Sequence, residues 1–307
     1  MNDLITNLLV RTGVFATPLF IGTLGEILTE KSGVMNLGME GIIAAGALAG
    51  FIVGQYTHSL PLAILAAMSM GAFLALIHAV VSVKFKANQT VSGLALTMVG
   101  VGIAGFWGKH FVGQACKIPV HTFQVPLLKD IPILGPLFFR QDLFFYAALI
   151  IAASLWFILK KTRWGLYVRS VGENPRAADA LGVPVERVRL ICTVIGGALA
   201  GLAGAQLSLA YSTSWVENMS GGRGWIVVAL TIFALWNPPR ALLGSLLFGC
   251  IFVLQYQLQP LGISPNLLAT LPYLATLFVL LLDGLKKDNH KLNAPAMLGV
   301  AYKREER

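Results

Sequence analysis

The chain has 307 residues, of which 56% are hydrophobic and only 12% charged, against about a quarter charged in an ordinary soluble domain. With a mean hydropathy of +0.73, it carries more apolar surface than a globule of this length can bury, which excludes a simple soluble fold and predicts a polytopic membrane protein. The net charge of +9 is spread over short loops instead of one patch, so it reads as membrane topology and argues against nucleic acid as a partner.

Apolar segments are predicted over approximately 12–28, 36–54, 61–83, 91–108, 142–159, 190–210, 224–236, 241–259 and 267–285. Crossing ~30 Å of hydrocarbon takes ~20 helical residues, and most of these segments reach that length. The fold class expected is therefore an all-α polytopic membrane protein with about nine transmembrane helices (8–10). Asp3 precedes Arg11 and no basic n-region is present, so the first run reads as an uncleaved span instead of a signal peptide. If the C-terminal tail is cytoplasmic, every Lys and Arg lies in a cytoplasmic loop or the tail except Arg11, Lys109, Lys117, Lys129, Arg140 and Arg223. Such a bias orients membrane proteins.

Two places depart from regular spans. Lys31 to Gly41 contains Gly33, Gly38 and Gly41 with Asn36 and Glu40, which predicts a broken or re-entrant segment near 31–41. Irregular backbone at membrane depth survives only where protein or a wet cavity covers it, and broken helices often line transport paths. The stretch 224–236 is short and ends at Asn237-Pro238-Pro239, which predicts either a tilted span or a half-helix. Gly196, Gly197, Gly201 and Gly204 share one segment with Ala200 and Ala203 and read as a close-packing face. The external loop 109–141, with Pro119, Pro126, Pro132 and Pro136, is expected to hold a short helix at most and to offer a docking surface.

The loop 160–189 carries seven basic residues and, inside them, a short helix marked at both ends. Asn174 can cap its first amides and Pro175 suits its first turn. Gly182 can take the left-handed conformation at its end, and Pro184 stops it. The faces offered are small: Ala177, Ala178 and Leu181. A helix so specified predicts a rigid knob for a groove on another protein. The tail 286–307 is expected to be cytoplasmic and partly disordered.

Enzymatic chemistry finds no support. No G-x-x-x-x-G-K-[ST] occurs, no G-x-S-x-G, no metal-ligand pairing among the five histidines, and Cys116, Cys192 and Cys250 stand far apart. His78 reads as a satisfied buried histidine. Transport is the default for such a chain, and one plausible intramembrane acid, Glu40, makes an ion-coupled carrier the weaker alternative; a non-transporting scaffold is a third.

Four blocks, in order, carry a family likeness. Gly25 to Gly41, Ala87 to Leu96, Val171 to Ala178, and Gly222-Arg223-Gly224-Trp225 with Trp236-Asn237-Pro238 closely resemble signature stretches of permease subunits in bacterial ABC importers for nucleosides and simple sugars, within the ribose and branched-chain amino acid permease superfamily. The likeness runs from about residue 14 to 285. Trp225 stands where the family usually has Phe, and Pro239-Arg240-Ala241 replaces a glycine-rich turn.

The resemblance implies a transmembrane permease domain over 1–285, with 160–189 as its cytoplasmic coupling loop, in the bacterial cytoplasmic membrane. It implies a second permease, by analogy a different chain, an extracytoplasmic substrate-binding protein and two ATP-binding subunits that carry ATP-Mg. This chain itself would have no cofactor and no catalytic residue. Glu173, Asn174, Pro175, Arg176, Ala177, Ala178, Leu181 and Gly182 would form the coupling helix seated in an ATPase groove. Polar groups in apolar spans point to a candidate substrate path at Asn36, Glu40, Asn88, Gln89, Thr90, Ser92 and the aromatic Phe106. Gln206 and Ser208 are further polar groups, and Trp107 and Phe233 further stacking surfaces.

Overall fold

The first helix, α1, runs from Asn2 to Lys31 and has Pro18 inside it, so it is longer than the expected span over 12–28. A proline supplies no amide to the carbonyl four residues back. That carbonyl belongs to Val14, and it accepts from Gln206 Nε2 at 3.2 Å instead. Gln206 thus acts as a structural patch on a proline site. Thr17, Thr23 and Thr29 return their hydroxyls to carbonyls of the same helix, so α1 buries threonines without stranding polar atoms.

The structure, a computed structural model, describes every residue except Met1, Pro119, Asp130, Thr213, Gly262, Ile263, Ala269, 286–293 and 303–307. The expected disorder of the tail concerns mainly residues outside that set. After α1 come α2 (Met39–Thr57), α3 (Leu60–Ala79, widening into a π turn at Val80–Lys84) and α4 (Gln89–Gly108). The external loop holds a short α5 (Leu134–Phe138) and a two-stranded pair, β1 (Phe123–Gln124) antiparallel to β2 (Arg140–Gln141). Then follow α6 (Leu143–Lys161), α7 (Arg163–Glu173), α8 (Pro175–Ala180) and α9 (Val185–Gln206, with a π turn at Leu207–Tyr211). The chain ends in α10 (Arg223–Phe233), α11 (Pro238–Leu258), α12 (Pro265–Leu268) and α13 (Leu271–Leu285).

Among the described residues, seven helices are long and apolar enough to cross a membrane: α1 to α4, α6, α9 and α11, at 19 to 27 residues each with their π and 3-10 extensions. The remaining two of the nine expected segments are α10, with 11 residues, and α13, with 15.

At the centre of the bundle is α9, packed on α1, α2 and α3. Small residues make this possible. Gly196 lies against Gly25 and Thr29, and Gly201 against Ala67 and Gly46, so backbone meets backbone. A Cβ at Gly197 or Gly201 would collide with a carbonyl oxygen of α3. By contrast α4 and α13 leave large apolar side chains outside, among them Met98, Phe106, Leu277 and Phe278. Lipid or another subunit must cover these faces. Lys31 ends α1 beside Gly172 of α7, and Lys160 and Lys161 end α6. These residues mark the basic end of the bundle.

Candidate functional site

Between α1 and α2 the helix stops for residues 32–38, as the glycines predict. This stretch is almost wholly buried, so its backbone polar groups need partners. Side chains from α1, α3 and α4, and Asn36 of the break itself, supply them. Gln89 Oε1 accepts from the Met35 amide at 2.7 Å and Glu26 Oε1 from the Asn36 amide at 3.2 Å. Thr97 donates to the Leu37 carbonyl at 2.8 Å, and Asn36 Oδ1 accepts from the Gly38 amide at 2.9 Å. His78 lies 3.0 Å from both the Met35 carbonyl and Ser92 Oγ. In its neutral form Nε2 must carry the hydrogen, since a carbonyl can only accept, and Nδ1 then accepts from the hydroxyl. His78 is a satisfied buried histidine, as expected.

The second irregular place meets the first. Residues 212–222, between α9 and α10, lead down to the start of α10, where Glu40 takes both free amides: Gly222 at 2.8 Å and Gly224 at 2.6 Å. A carboxylate at a helix N-terminus satisfies orphan donors and opposes the helix dipole. A Cβ at Gly224 would collide with the Glu40 backbone, so the glycine is required by the approach. At its other end α10 turns through Leu235 and Trp236, both left-handed at φ 51° and 52°, and the Trp236 indole donates to Glu30. The 224–236 segment is accordingly a short helix pinned at each end by a glutamate of another element.

Of the seven candidate path residues, Asn36, Glu40, Gln89 and Ser92 therefore bond the protein's own backbone or His78. Asn88 caps α4 through the Val91 amide at 3.1 Å. Thr90 and Phe106 are exposed, Phe106 beside Trp107 with ring centroids 6.1 Å apart. Two cavities flank the 212–222 loop instead, and none of the seven lines either. One, of about 230 Å³, lies between the loop and α4 at Val101, Ala104 and Gly105. The other, of about 460 Å³, lies between the loop, α11 and α13 and is lined by Arg223, Tyr211, Gln255 and Tyr256 among others. The sequence singled out none of Tyr211, Gln255 and Tyr256. The signal available was Arg223, an arginine opening an apolar segment.

At the basic end, α8 has the expected shape. Asn174 Oδ1 accepts from the Ala177 amide at 3.0 Å. Gly182 is left-handed at φ 81°, its amide donates to Asp179, and the Val183 amide donates to Ala178, the paired bonds of a Schellman close. Leu181 is 85% exposed and Ala178 only 1%. Arg176 and Ala177 share the outer face, while Pro175 and Ala178 face inward. Ala178 thus anchors α8 instead of offering a contact, a division the small-residue face did not reveal.

Behind α8 lies a strap formed by residues 294–302. The Met297 amide donates to Gly172, the Gly299 amide to Gly33, and the Ala296 amide to Glu173 at 3.3 Å. Arg189, 1% exposed, donates through Nε to the Ser32 carbonyl at 3.2 Å and through Nη1 to the Val300 carbonyl at 2.9 Å. One guanidinium joins the break after α1 to the tail, and the tail joins both to the root of α8.

A family model described as the permease component of the branched-chain amino acid transport system matches residues 8–282. Among curated relatives, TsgC13 of Haloferax volcanii, provisionally named a glucose ABC transporter permease protein, is 38% identical over 97% of this chain and 98% of its own. The guanosine ABC transporter permease protein NupQ of Bacillus subtilis is 40% identical over 78% of each chain. The nucleoside ABC transporter permease protein NupC of Lactococcus lactis is 35% identical over 88% of this chain and 89% of its own. No solved structure matches the chain significantly. With an apolar bundle broken in two adjoining places and a family model spanning nearly all of it, this chain belongs to the branched-chain amino acid transport system permease family.

Proposed function

We propose that the chain is one of two permease subunits of an ATP-driven importer for a nucleoside or simple sugar, powered by separate ATP-binding subunits. Its relatives are named as ABC permeases for guanosine, nucleosides and glucose. The observation that carries the reading is α8, a six-residue helix closed at both ends that holds Leu181 85% exposed at the basic end. An exposed apolar tip on a rigid mount fits a groove on another protein. In this reading the basic end faces the cytoplasm, and Leu181, Ala177, Arg176 and Glu173 meet the ATPase, which holds ATP-Mg. A binding protein meets the 109–141 side, and a second permease, of different sequence, covers part of the exposed apolar face. Asn36, Glu40 and Gln89 shape the wall of the path by fixing its irregular backbone, Ser92 acts on it through His78, and Asn88 caps the adjoining α4. Closure of the ATPases pulls on α8 and shifts the pair between inward- and outward-open states.

The test is co-purification of the ATPase with this chain, and its loss on deleting 170–184 or on Leu181→Arg. An ATPase that stays bound to both variants overturns the coupling assignment. Transport by the chain without any ATPase overturns the importer reading.

A further inference from the structure

A cavity of about 760 Å³ lies at the basic end of the bundle, between the ends of α1 and α6, α7, the turn from α10 into α11, and the 294–302 strap. Its lining carries three cations, Lys31, Lys160 and Arg169, against one carboxylate, Glu173. That carboxylate is already shared, since its Oε2 accepts from the Ala296 amide at 3.3 Å. Lys31 is attracted by Glu173 but repelled by Arg169, so two of the cations oppose each other. Glu30 does not line the cavity; it is 2% exposed and engaged by the Trp236 indole. Counting it still leaves the site positive. Residues 286–293, which precede the strap in sequence, hold Lys286, Lys287 and Lys291 against Asp288, so the stretch leading into the strap is basic too.

Positive charge gathered in one concave site raises the local concentration of anions. We propose that this cavity seats the phosphate of an anionic phospholipid such as phosphatidylglycerol. A guanidinium beside two ammonium groups suits a group with several acceptor oxygens, which a phosphate diester offers. The walls suit a lipid. Lys160 Nζ lies 5.6 Å from the centroid of the Trp156 ring, and Trp156 and Trp236 are the amphipathic aromatics that settle at headgroup level. Along α6, on the way to Lys160, Ile150 and Phe157 are 67% and 55% exposed, a surface for acyl chains. A soluble phosphate would use the cations and leave that surface bare. Basic pockets between spans hold anionic headgroups in other membrane proteins. The volume lies within the ordinary range of small-molecule sites, about 300–1,000 Å³. A headgroup held there ties the ends of α1, α6 and α7 together beside Trp236, where α10 ends, and next to Glu173, which precedes the Asn174 cap of α8. The inference concerns neither the solute nor the ATPase, so it stands apart from the importer reading.

The experiment places the full-length chain in nanodiscs of mixed phosphatidylcholine and phosphatidylglycerol, extracts it in mild detergent, and measures the lipid it retains by mass spectrometry. The wild type should keep phosphatidylglycerol in excess of its share of the bilayer. Lys160→Gln with Arg169→Gln, both exposed side chains on the cavity wall, should lower that excess about tenfold. Lys161→Gln with Arg163→Gln removes equal charge from exposed positions outside the lining and should preserve it. If the cavity pair folds poorly, Lys160→Gln alone carries the test. No excess in the wild type, an excess equal in all the proteins, or one lowered equally by both pairs overturns the site; the last result leaves only the general attraction of a basic membrane face. A delipidated chain that binds labelled inorganic phosphate, and keeps it when phosphatidylglycerol is added, overturns the lipid as occupant and assigns the cavity to a soluble anion.

Discussion

Glu40 on α2 clasps the amides of Gly222 and Gly224, 182 and 184 residues further along the chain, with one carboxylate oxygen each at 2.8 and 2.6 Å. The two breaks in the helical bundle are thus a single joint. Glu40→Ala strands both amides in a buried setting, and a loss of about 2–4 kcal/mol is expected. Glu40→Gln keeps one acceptor and should lose roughly half as much. Thermal unfolding of the detergent-purified chain measures both, and an unchanged midpoint for Glu40→Ala would show that the joint carries no strain of assembly.

The central packing predicts opposite outcomes for glycines of similar appearance. At Gly201 a Cβ meets the Ala67 carbonyl, whereas at Gly102 and Gly105 nothing lies within 4 Å. Gly201→Ala should destabilise the chain by about 1–3 kcal/mol. Gly102→Ala and Gly105→Ala should be neutral or gain up to about 1 kcal/mol of helix propensity. Melting midpoints of the three variants decide it.

In α8, capping and docking can be separated. Asn174→Ala removes the cap and should cost about 1 kcal/mol. Leu181→Arg touches only an exposed side chain and should leave the melting midpoint unchanged while abolishing ATPase capture. If Leu181→Arg melts as early as Asn174→Ala, Leu181 is a packing residue and the assignment of its role is wrong.

Much of this joint and of α8 was legible in the sequence, for definite reasons. Gly33, Gly38 and Asn36 announced the break because an apolar run has no other use for them, and Asn237-Pro238-Pro239 announced where α10 must end. Asn174, Pro175 and Gly182 specify their helix by local backbone chemistry alone. What the sequence withheld depends on distant partners. Glu40 read as a cavity acid because nothing local says that its carboxylate is met by amides 182 and 184 residues away. Arg189 read as one of seven loop cations, yet it is buried under the 294–302 strap. A hydrogen bond from an arginine to a carbonyl leaves no pattern in composition or periodicity. Gln206 likewise read only as a further polar group in an apolar span because its partner is a carbonyl freed by a proline on another helix.

Asp142 predicts a pH effect. It caps α6 through the Phe145 amide at 2.9 Å and accepts from Gln206 at 3.3 Å, but burial outweighs these bonds and raises its pKa above the ordinary carboxylate value. A carboxyl whose folded pKa is raised binds its proton more tightly when native. Its contribution to stability is therefore full below the unfolded pKa and is lost as pH rises through the folded one. Asp142→Asn, which still offers an oxygen to the Phe145 amide, should flatten that part of the pH–stability profile. A wild-type profile that rises with pH across the same range, with Asp142→Asn parallel to it, contradicts the assignment.

Arg189→Met predicts a loosened strap. Losing both carbonyl contacts should expose residues 294–302 to protease, giving a shortened product within minutes under conditions that leave the wild type intact. Equal cleavage of both proteins would mean that the strap owes nothing to Arg189.

Glycine contacts that weld α2, α3 and α9 also restrict how this molecule can change shape. Helices touching along their main chains have no side-chain layer in which to slide, so those three must travel as one block. Any opening or closing has to be taken up elsewhere, at α10, which is held at its two tips by glutamates, and along the outer helices. Crosslinks between α3 and α9 should therefore be harmless to turnover, and crosslinks between α10 and α11 should arrest it.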